Sequence, residues 1–452
     1  MYKQIINKLK DKKIAILGFG KEGKSTYNFI RRYLNKKKLT IIDKVKQEIN
    51  DEYVDIISGE NYLEGLYKYD LIIKSPGITL KDIDISNFKD RITSQLELVL
   101  EVYRKNIIGI TGTKGKSTTT SLIYEIIKDQ RDKVFILGNI GNPLLDRVEE
   151  YDENSILVIE MSSDQLEFVD KSPHIAIILN LFEDHLDHAG TIEHYHDSKM
   201  NIFKYQDEND YCIYSDDNYY LRQRMESSQY KGIKYNIRFD YENLNQNSVR
   251  IKDKEVYLNN ELLYTDDERK LIGDHNLKNI MFALTVAKIM NLNLDKANKI
   301  IKEFKGLKYR MECIGTYDDI TYYNDTIATV PSATISAITS IKNVDTLIFG
   351  GMDRKIDYTE LIDYLKNSDI SNLVCMPTTG TKIGKILELE TNKNIFYTDS
   401  LEEAYDIAKE KTKKGYSCLL SPAASSYEYF KNFEEKGKYF ENIVKKNNFA
   451  NK

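Results

Sequence analysis

Gly109-Ile110-Thr111-Gly112-Thr113-Lys114-Gly115-Lys116-Ser117-Thr118-Thr119-Thr120 follows an apolar run at 107–110 and leads into a helical pattern over 117–128. Glycines at 112 and 115 let the backbone curl and aim its N–H groups at an anion, and the helix start adds the positive end of its dipole. Lys116 is placed to neutralise β- and γ-phosphate charge, with the hydroxyl of Ser117 or Thr118 facing Mg²⁺. The standard phosphate loop has glycine where this chain has Ile110, so the stretch is a related loop. A tight strand-to-helix turn with incidental glycines is the plain alternative.

Outward from the loop, short β-branched runs alternate with longer amphipathic segments. Strands are predicted at 14–17, 39–42, 71–73, 107–110, 134–137, 156–160, 175–179, 346–349, 373–375 and 418–420, and helices at 95–104, 117–128, 277–290 and 402–411. Strands this short and continuously apolar suit a parallel sheet buried on both faces, and the alternation implies α/β layers. The pattern breaks at 88–94 and 305–310, which divides the chain into 1–93, 94–305 and 306–452. That matches the roughly three domains expected of this length. The stretch 218–272, rich in Asn and Asp, reads as antiparallel excursions from the middle domain.

With 41% hydrophobic and 30% charged residues among 452, the composition is that of a soluble globular protein. A net charge of -5 argues against non-specific nucleic-acid binding and leaves room for a local basic cleft. Cys212, Cys313, Cys375 and Cys418 lie far apart and read as reduced thiols of a cytoplasmic protein. Met1-Tyr2-Lys3-Gln4 lacks the apolar core of a signal peptide, and no apolar run approaches the ~20 residues needed to cross a bilayer, so no membrane insertion is expected.

Three polar stretches close predicted strands, where ligands of open α/β sheets bind. They are Gly138-Asn139-Ile140-Gly141-Asn142-Pro143, Glu160-Met161-Ser162-Ser163-Asp164-Gln165-Leu166-Glu167 and Asn180-Leu181-Phe182-Glu183-Asp184-His185-Leu186-Asp187-His188. Glu160 ends an apolar strand where a Mg²⁺ ligand belongs, although alone it reads as a solvated strand end. Without a nearby thiolate, His185 makes a weak zinc ligand and by itself reads as structural. His194 and His196 are expected to face solvent, and Lys199 by itself reads as a surface charge. Gly18, Gly20 and Gly23 with Asp43 fit a dinucleotide fingerprint, a weak signal alone, and Ser75-Pro76-Gly77-Ile78 forms a matching second loop.

In this order, GITGTKGKSTTT, LGNIGNP, EMSSDQLE, NLFEDHLD, HDSKMNIF, GDHNLKN, GLKYRME and LLSPAASSYEYFKNFEEKG resemble the Mur ligase family, the ATP-dependent amide ligases that build the peptidoglycan stem peptide. The last stretch, with ILGFGKEGKS and KSPGI, is similar to the glutamate-adding branch. The resemblance implies an N-terminal Rossmann-like UDP domain, a central P-loop-type ATPase domain and a C-terminal Rossmann-like domain. It gives the ATP phosphates to Gly112, Thr113, Lys114, Gly115, Lys116, Ser117 and Thr118. Of two Mg²⁺ ions, Ser117 and Glu160 serve one, and His185 with a carbamylated Lys199 the other. Asn276 and Asn279 hold the adenine and orient their helix. Arg310 and Asp325 contact the nucleotide from the third domain, so the site closes only when domains meet. The UDP-linked substrate falls to Gly18, Gly20, Gly23, Asp43, Ser75, Asn139, Ser162 and Gln165, and glutamate to Thr329, Lys355, Ser426 and Phe433. Lys116, Lys199 and His185 are the implied catalytic groups, His185 as a metal ligand.

The implied function is ATP-dependent ligation of glutamate to UDP-N-acetylmuramoyl-L-alanine through an acyl phosphate, by a cytoplasmic monomer. Two departures bear on the amino acid. Ile327 stands where the family reads lysine, and GGMDRKIDY differs from the familiar glutamate loop, though Arg354 or Lys355 could meet a carboxylate. D-glutamate is favoured and L-glutamate stays open. The alternative from another class is a non-catalytic, nucleotide-binding pseudo-ligase, against which Lys116, Glu160, His185 and Lys199 argue.

Overall fold

Every strand predicted from an apolar run is present in the structure, a computed structural model that describes residues 1–182, 191–239, 247–271, 273–354, 356–427 and 429–449. These residues build three sheets in two compact units, Met1–Glu268 with His275–Lys302, and Arg269–Asp274 with Glu303–Lys452.

The first sheet holds β1 (Ile14–Leu17), β2 (Leu39–Asp43), β3 (Val54–Ser58), β4 (Leu71–Lys74) and β5 (Ile92–Thr93) in the order β3-β2-β1-β4-β5, all parallel. Sequence reading missed β3 because it is an edge strand whose residues are mostly exposed, so no apolar run marks it. The helices α1 (Lys3–Lys10), α2 (Lys21–Tyr33) and α3 (Gln95–Tyr103) accompany this sheet. Ser94 caps α3 by accepting from the Glu97 N–H at 3.1 Å, an arrangement that contributes about 1 kcal/mol. Leu96, Leu98, Val99 and Leu100 of α3 are all buried, and they join the core of the first sheet to that of the second.

The second sheet comprises β6 (Ile107–Thr111), β7 (Val134–Gly138), β8 (Ile156–Glu160), β9 (Ile175–Ile178), β10 (Tyr211–Ser215), β11 (Ile233–Arg238), β12 (Ser248–Lys252), β13 (Glu255–Leu258) and β14 (Glu261–Thr265). Their order is β14-β13-β12-β11-β10-β9-β6-β8-β7, with β6 paired in parallel to β8 and β9. The glycine-rich loop therefore leaves a central strand, with β8 and β9 ending on either side of it. Its helices are α4 (Lys116–Lys128), α5 (Ser163–Leu166), α6 (Ile192–Lys204), α7 (Tyr219–Ser227), α8 (Asp274–Ile289) and α9 (Leu294–Glu303). The expectation for 218–272 needs correction. Only β12, β13 and β14 pair antiparallel, whereas β11 is parallel to both β10 and β12, and α7 is a helix. Asn218 caps α7 by accepting from the Leu221 N–H at 3.1 Å, so polar composition here encodes a helix start as well as turns.

The third sheet, β15 (Glu312–Tyr317), β16 (Ile320–Asn324), β17 (Val344–Phe349), β18 (Asn372–Cys375), β19 (Asn394–Tyr397) and β20 (Ser417–Leu420), runs β15-β16-β20-β17-β18-β19. Only β15 is antiparallel. Helices cover both faces: α10 (Pro331–Ser340), α11 (Thr359–Asn367) and α12 (Thr379–Glu390) on one, α13 (Leu401–Lys411) and α14 (Phe433–Phe449) on the other. All four cysteines are free thiols. Among the described residues, no helix is long and apolar enough to cross a membrane.

Candidate active site

The quoted loop is held open by its neighbours. Gly115 adopts φ +86°, a left-handed conformation that a side chain would strain, and a Cβ there would meet Asn279 Oδ1 at 2.9 Å. A Cβ on Gly112 would lie 3.0 Å from Leu179 Cβ, just past the adjacent strand. Asn180, just past β9, accepts on Oδ1 from the N–H groups of Thr113 (3.0 Å) and Lys114 (2.8 Å) and donates to Lys114 O at 3.0 Å. The Thr113 hydroxyl accepts from Phe182 N–H at 3.0 Å. Lys116 folds back onto the loop and donates to Gly112 O at 2.9 Å and Thr113 O at 3.0 Å. Ser117 is half-buried and Thr118 buried in the first turn of α4, whose N–H groups have no intrahelical acceptor. Sequence reading gave Asn180 no role; its position at a strand end was the available signal.

Asn276 and Asn279 are buried on α8, with Asn279 Nδ2 donating to Asn276 Oδ1 at 2.8 Å. Asn279 thus reaches the glycine loop while Asn276 orients it.

Glu160 is 1% exposed at the end of β8. Its Oε1 accepts from Asn139 Nδ2 at 2.8 Å, while Oε2 is buried with no hydrogen-bond partner. Such an oxygen fits a hard cation, and Ser117 and Asn139 offer the same donor type. Among the described residues, no three His, Cys, Asp or Glu side chains gather into a cage. Magnesium, which keeps several of its waters, does not need one. Ser162 and Gln165 form a reciprocal capping box at the start of α5. Gln165 Nε2 also donates to Glu22 Oε1 at 2.6 Å.

Lys199 lies on the inward face of α6, 1% exposed, its amine 4.6 Å from the Tyr195 ring centroid. Read alone it looked like a surface charge, and the fold overturns that reading. His196 is a second correction: expected in solvent, it is buried, with Nε2 3.3 Å from Phe182 O. Burial holds its pKa below the ordinary histidine value. His194 is exposed and contacts Glu167 at 3.1 Å. His185 lies outside the described residues.

At the first sheet, Gly23 on α2 packs so closely that a Cβ would lie 2.0 Å from Gly18 O. Ser75 Oγ donates to that same Gly18 oxygen at 2.8 Å, which binds the two loops together. Gly20 begins α2. Asp43 is engaged locally: its carboxylate accepts from Phe19 N–H at 2.6 Å and Val45 N–H at 2.9 Å, so it shapes the loop. Two further charges here, half-buried Glu22 and buried Lys74, had no sequence signal. Burial raises the pKa of Glu22, and Lys74 sits 3.4 Å from Glu167 Oε2.

In the other unit, Asp325 follows β16 and accepts from Ser421 Oγ at 2.8 Å and Met311 N–H at 3.1 Å. Burial pushes its pKa up to about 7, outweighing these hydrogen bonds and the nearby Arg310 charge. Arg310 is half-buried, with Nε lacking a partner. Thr329 and Phe433 are half-buried, and Ser426 is buried with an unpartnered Oγ. Arg354 is exposed, and Lys355 lies outside the described residues.

The chain matches the family model of the Mur ligase middle domain over residues 110–287 and that of the Mur ligase glutamate ligase domain over 309–424. It is 33% identical over 451 residues to the UDP-N-acetylmuramoylalanine--D-glutamate ligase of Caldanaerobacter subterraneus subsp. tengcongensis, covering 96% of this chain and 98% of that protein. The enzyme of the same name from Clostridioides difficile is 34% identical, with 96% and 99% covered. Among solved structures, MurF ligase from Thermotoga maritima in complex with ADP superposes with TM-score 0.59 at 18% identity, covering 96% of this chain and 95% of that one. The UDP-N-acetylmuramate-alanine ligase MurC of Thermotoga maritima gives TM-score 0.59 at 17% identity, covering 96% and 100%. At these identities, the structural likeness is one of fold.

Proposed function

We infer that this chain, which belongs to the Mur ligase family, is an ATP-dependent ligase of peptidoglycan precursor synthesis that joins D-glutamate to UDP-N-acetylmuramoyl-L-alanine. The observation that carries the reading is near-full-length identity of 33% to a relative of that named activity. We assign residues 1–93 to the UDP moiety, 94–305 to ATP and 306–452 to glutamate.

A carboxylate is a poor acyl donor and must first be activated. The alanyl carboxylate attacks the γ-phosphorus of ATP, the bond to ADP breaks, and an acyl phosphate forms. The amine of glutamate then attacks the acyl carbon, phosphate leaves, and the nitrogen loses a proton to become the amide. Lys116 leaves its two backbone acceptors to meet the β- and γ-phosphates, while Asn180 keeps the loop in shape. Ser117 and Glu160 would hold one Mg²⁺, with the free Oε2 of Glu160 as the donor that supports this. Bound Mg²⁺ supplies charge neutralisation for the phosphoryl group in transfer. Lys199, buried where an ammonium is costly, would gain a hard oxygen donor by carbamylation and serve the second ion with His185. Asn276 and Asn279 would bind the adenine, and Asn139, Ser162 and Gln165 the muramoyl group.

The test is a product assay with UDP-N-acetylmuramoyl-L-alanine, ATP, Mg²⁺ and each amino acid in turn. Ligated product with glutamate alone is expected. ATP hydrolysis without amide, or no turnover at all, would favour the pseudo-ligase.

A further inference from the structure

Asp325 and Ser421 leave the third sheet side by side. β16 and β20 pair in parallel with Asn324 opposite Leu420, and Asp325 N–H donates to Leu420 O at 2.8 Å. Ser421 Oγ lies 2.8 Å from Asp325 Oδ2 and 2.8 Å from Thr334 Oγ1 of α10. All three side chains are buried, Thr334 and Ser421 completely. A serine hydroxyl has a single hydrogen. Opposite a carboxylate that hydrogen goes to Asp325, so Thr334 gives its own to the Ser421 oxygen. The row therefore has a direction, Thr334 to Ser421 to Asp325, in which each donor strengthens the next.

The other carboxylate oxygen faces a second segment. Asp325 Oδ1 accepts from Met311 N–H at 3.1 Å. Tyr309 (φ +64°) and Met311 (φ +45°) are both left-handed, a conformation that is costly with a side chain and persists only where surrounding bonds hold it. Arg310 sits between them, and its Nε is buried with no hydrogen-bond partner among the described residues. The Asp325 carboxylate thus anchors the turn that carries Arg310. Burial opposes its charge and raises its pKa to about 7, against the pull of Ser421, Met311 and Arg310. Among the described residues, Arg310 is the charged side chain that acts on it. Without the Ser421 donor the carboxyl keeps its proton to higher pH, and a neutral carboxyl holds Met311 and Arg310 more weakly.

We propose that Ser421, oriented by Thr334, is a positioning residue that keeps Asp325 ionised and aimed at the Arg310 turn. The proposal rests on the ligase reading given above, which gives Arg310 and Asp325 to the nucleotide. Neither Ser421 nor Thr334 needs to touch ATP for this role.

The experiment measures kcat/KM for ATP from pH 5.5 to 9 in full-length wild type, Ser421→Ala, Thr334→Val and Thr334→Ser. Loss of one hydrogen bond to a charged group is expected to move the acid limb of Ser421→Ala up by about one pH unit. Its kcat/KM, as a fraction of wild type, should then climb from about a tenth below pH 6 to near one by pH 9. The loss should fall on KM for ATP, with kcat and KM for the other two substrates little changed. Thr334→Val should shift the limb in the same direction by less, and Thr334→Ser should keep the wild-type profile. A fraction that is low but flat with pH would overturn the proposal, because a merely structural defect does not follow one ionisation. If Ser421→Ala does not fold, Thr334→Val decides, and a wild-type limb in that variant rejects the proposal. Equilibrium binding of ATP over the same pH range gives a reading that needs no turnover. A wild type that binds ATP yet ligates neither enantiomer of glutamate fails the ligase reading instead.

Discussion

Asn139 donates its side-chain amide to one oxygen of Glu160 at 2.8 Å and leaves the other buried and without a partner. A carboxylate half satisfied in this way is set to complete its shell with a cation. Glu160→Gln keeps an acceptor for Asn139 and removes the charge. It is expected to raise the Mg²⁺ concentration for half-maximal rate by about 10- to 100-fold, with the melting temperature little changed. Titration of Mg²⁺ into metal-stripped enzyme measures this, and an identical curve for wild type and variant would dismiss Glu160 as a ligand.

Lys116→Ala is expected to lower kcat by about 10³-fold, because the proposed role of its charge is to stabilise the phosphoryl group in transfer. Its partners include two loop carbonyls, each bond contributing about 1 kcal/mol, so the variant should still fold. Near-normal turnover in a folded variant would remove Lys116 from the nucleotide site.

Lys199→Ala should be inactive and partly rescued by short carboxylic acids, because a free carboxylate can occupy the place of the carbamate. A direct reading comes from ¹³C-bicarbonate, which should give a carbamate resonance in the wild type that Lys199→Ala lacks. Absence of that signal in active, metal-loaded enzyme counts against the modification.

D-glutamate is expected to outperform L-glutamate in parallel assays. Inverting the α-carbon leaves one carboxylate without its cation, at a cost of roughly 3–5 kcal/mol in a desolvated site. Ile327 supplies no charge, so the discrimination has to come from other groups. Higher kcat/KM with the L-enantiomer would reassign the chain to the L-glutamate-adding branch.

Stability should fall with rising pH because of Glu97. Burial, and to a lesser extent Asp170, pushes its pKa up to about 8 from the ordinary glutamate value. Between those two values the native state keeps a proton that the unfolded chain has released, so stability declines as pH rises through that window and levels off above it. Glu97→Gln removes this slope. The variant should melt higher than wild type at pH 8 and close to it at pH 5, and parallel slopes would mean that Glu97 ionises normally.

Much of the architecture is legible along the chain. The apolar runs that became β1, β6, β8, β9 and β20 needed no partner to be recognised, because strand period and backbone preference act over a few residues. The glycine loop, the strand-end carboxylate Glu160 and the eight ordered motifs were equally local, and the motifs were enough to identify the family. The surroundings of single polar groups were not legible. Lys199 and His196 read as solvent-facing, yet α6 packs both inward. Asn180 became the clamp of a loop some 67 residues earlier in the chain. Lys436 lost its solvent to a turn 86 residues away. Burial depends on which distant segments meet, and no local pattern encodes that. The sequence by itself determined the layers, the nucleotide loop and the family; tertiary structure alone decided which charges lost their water, and so which have reason to bind a ligand.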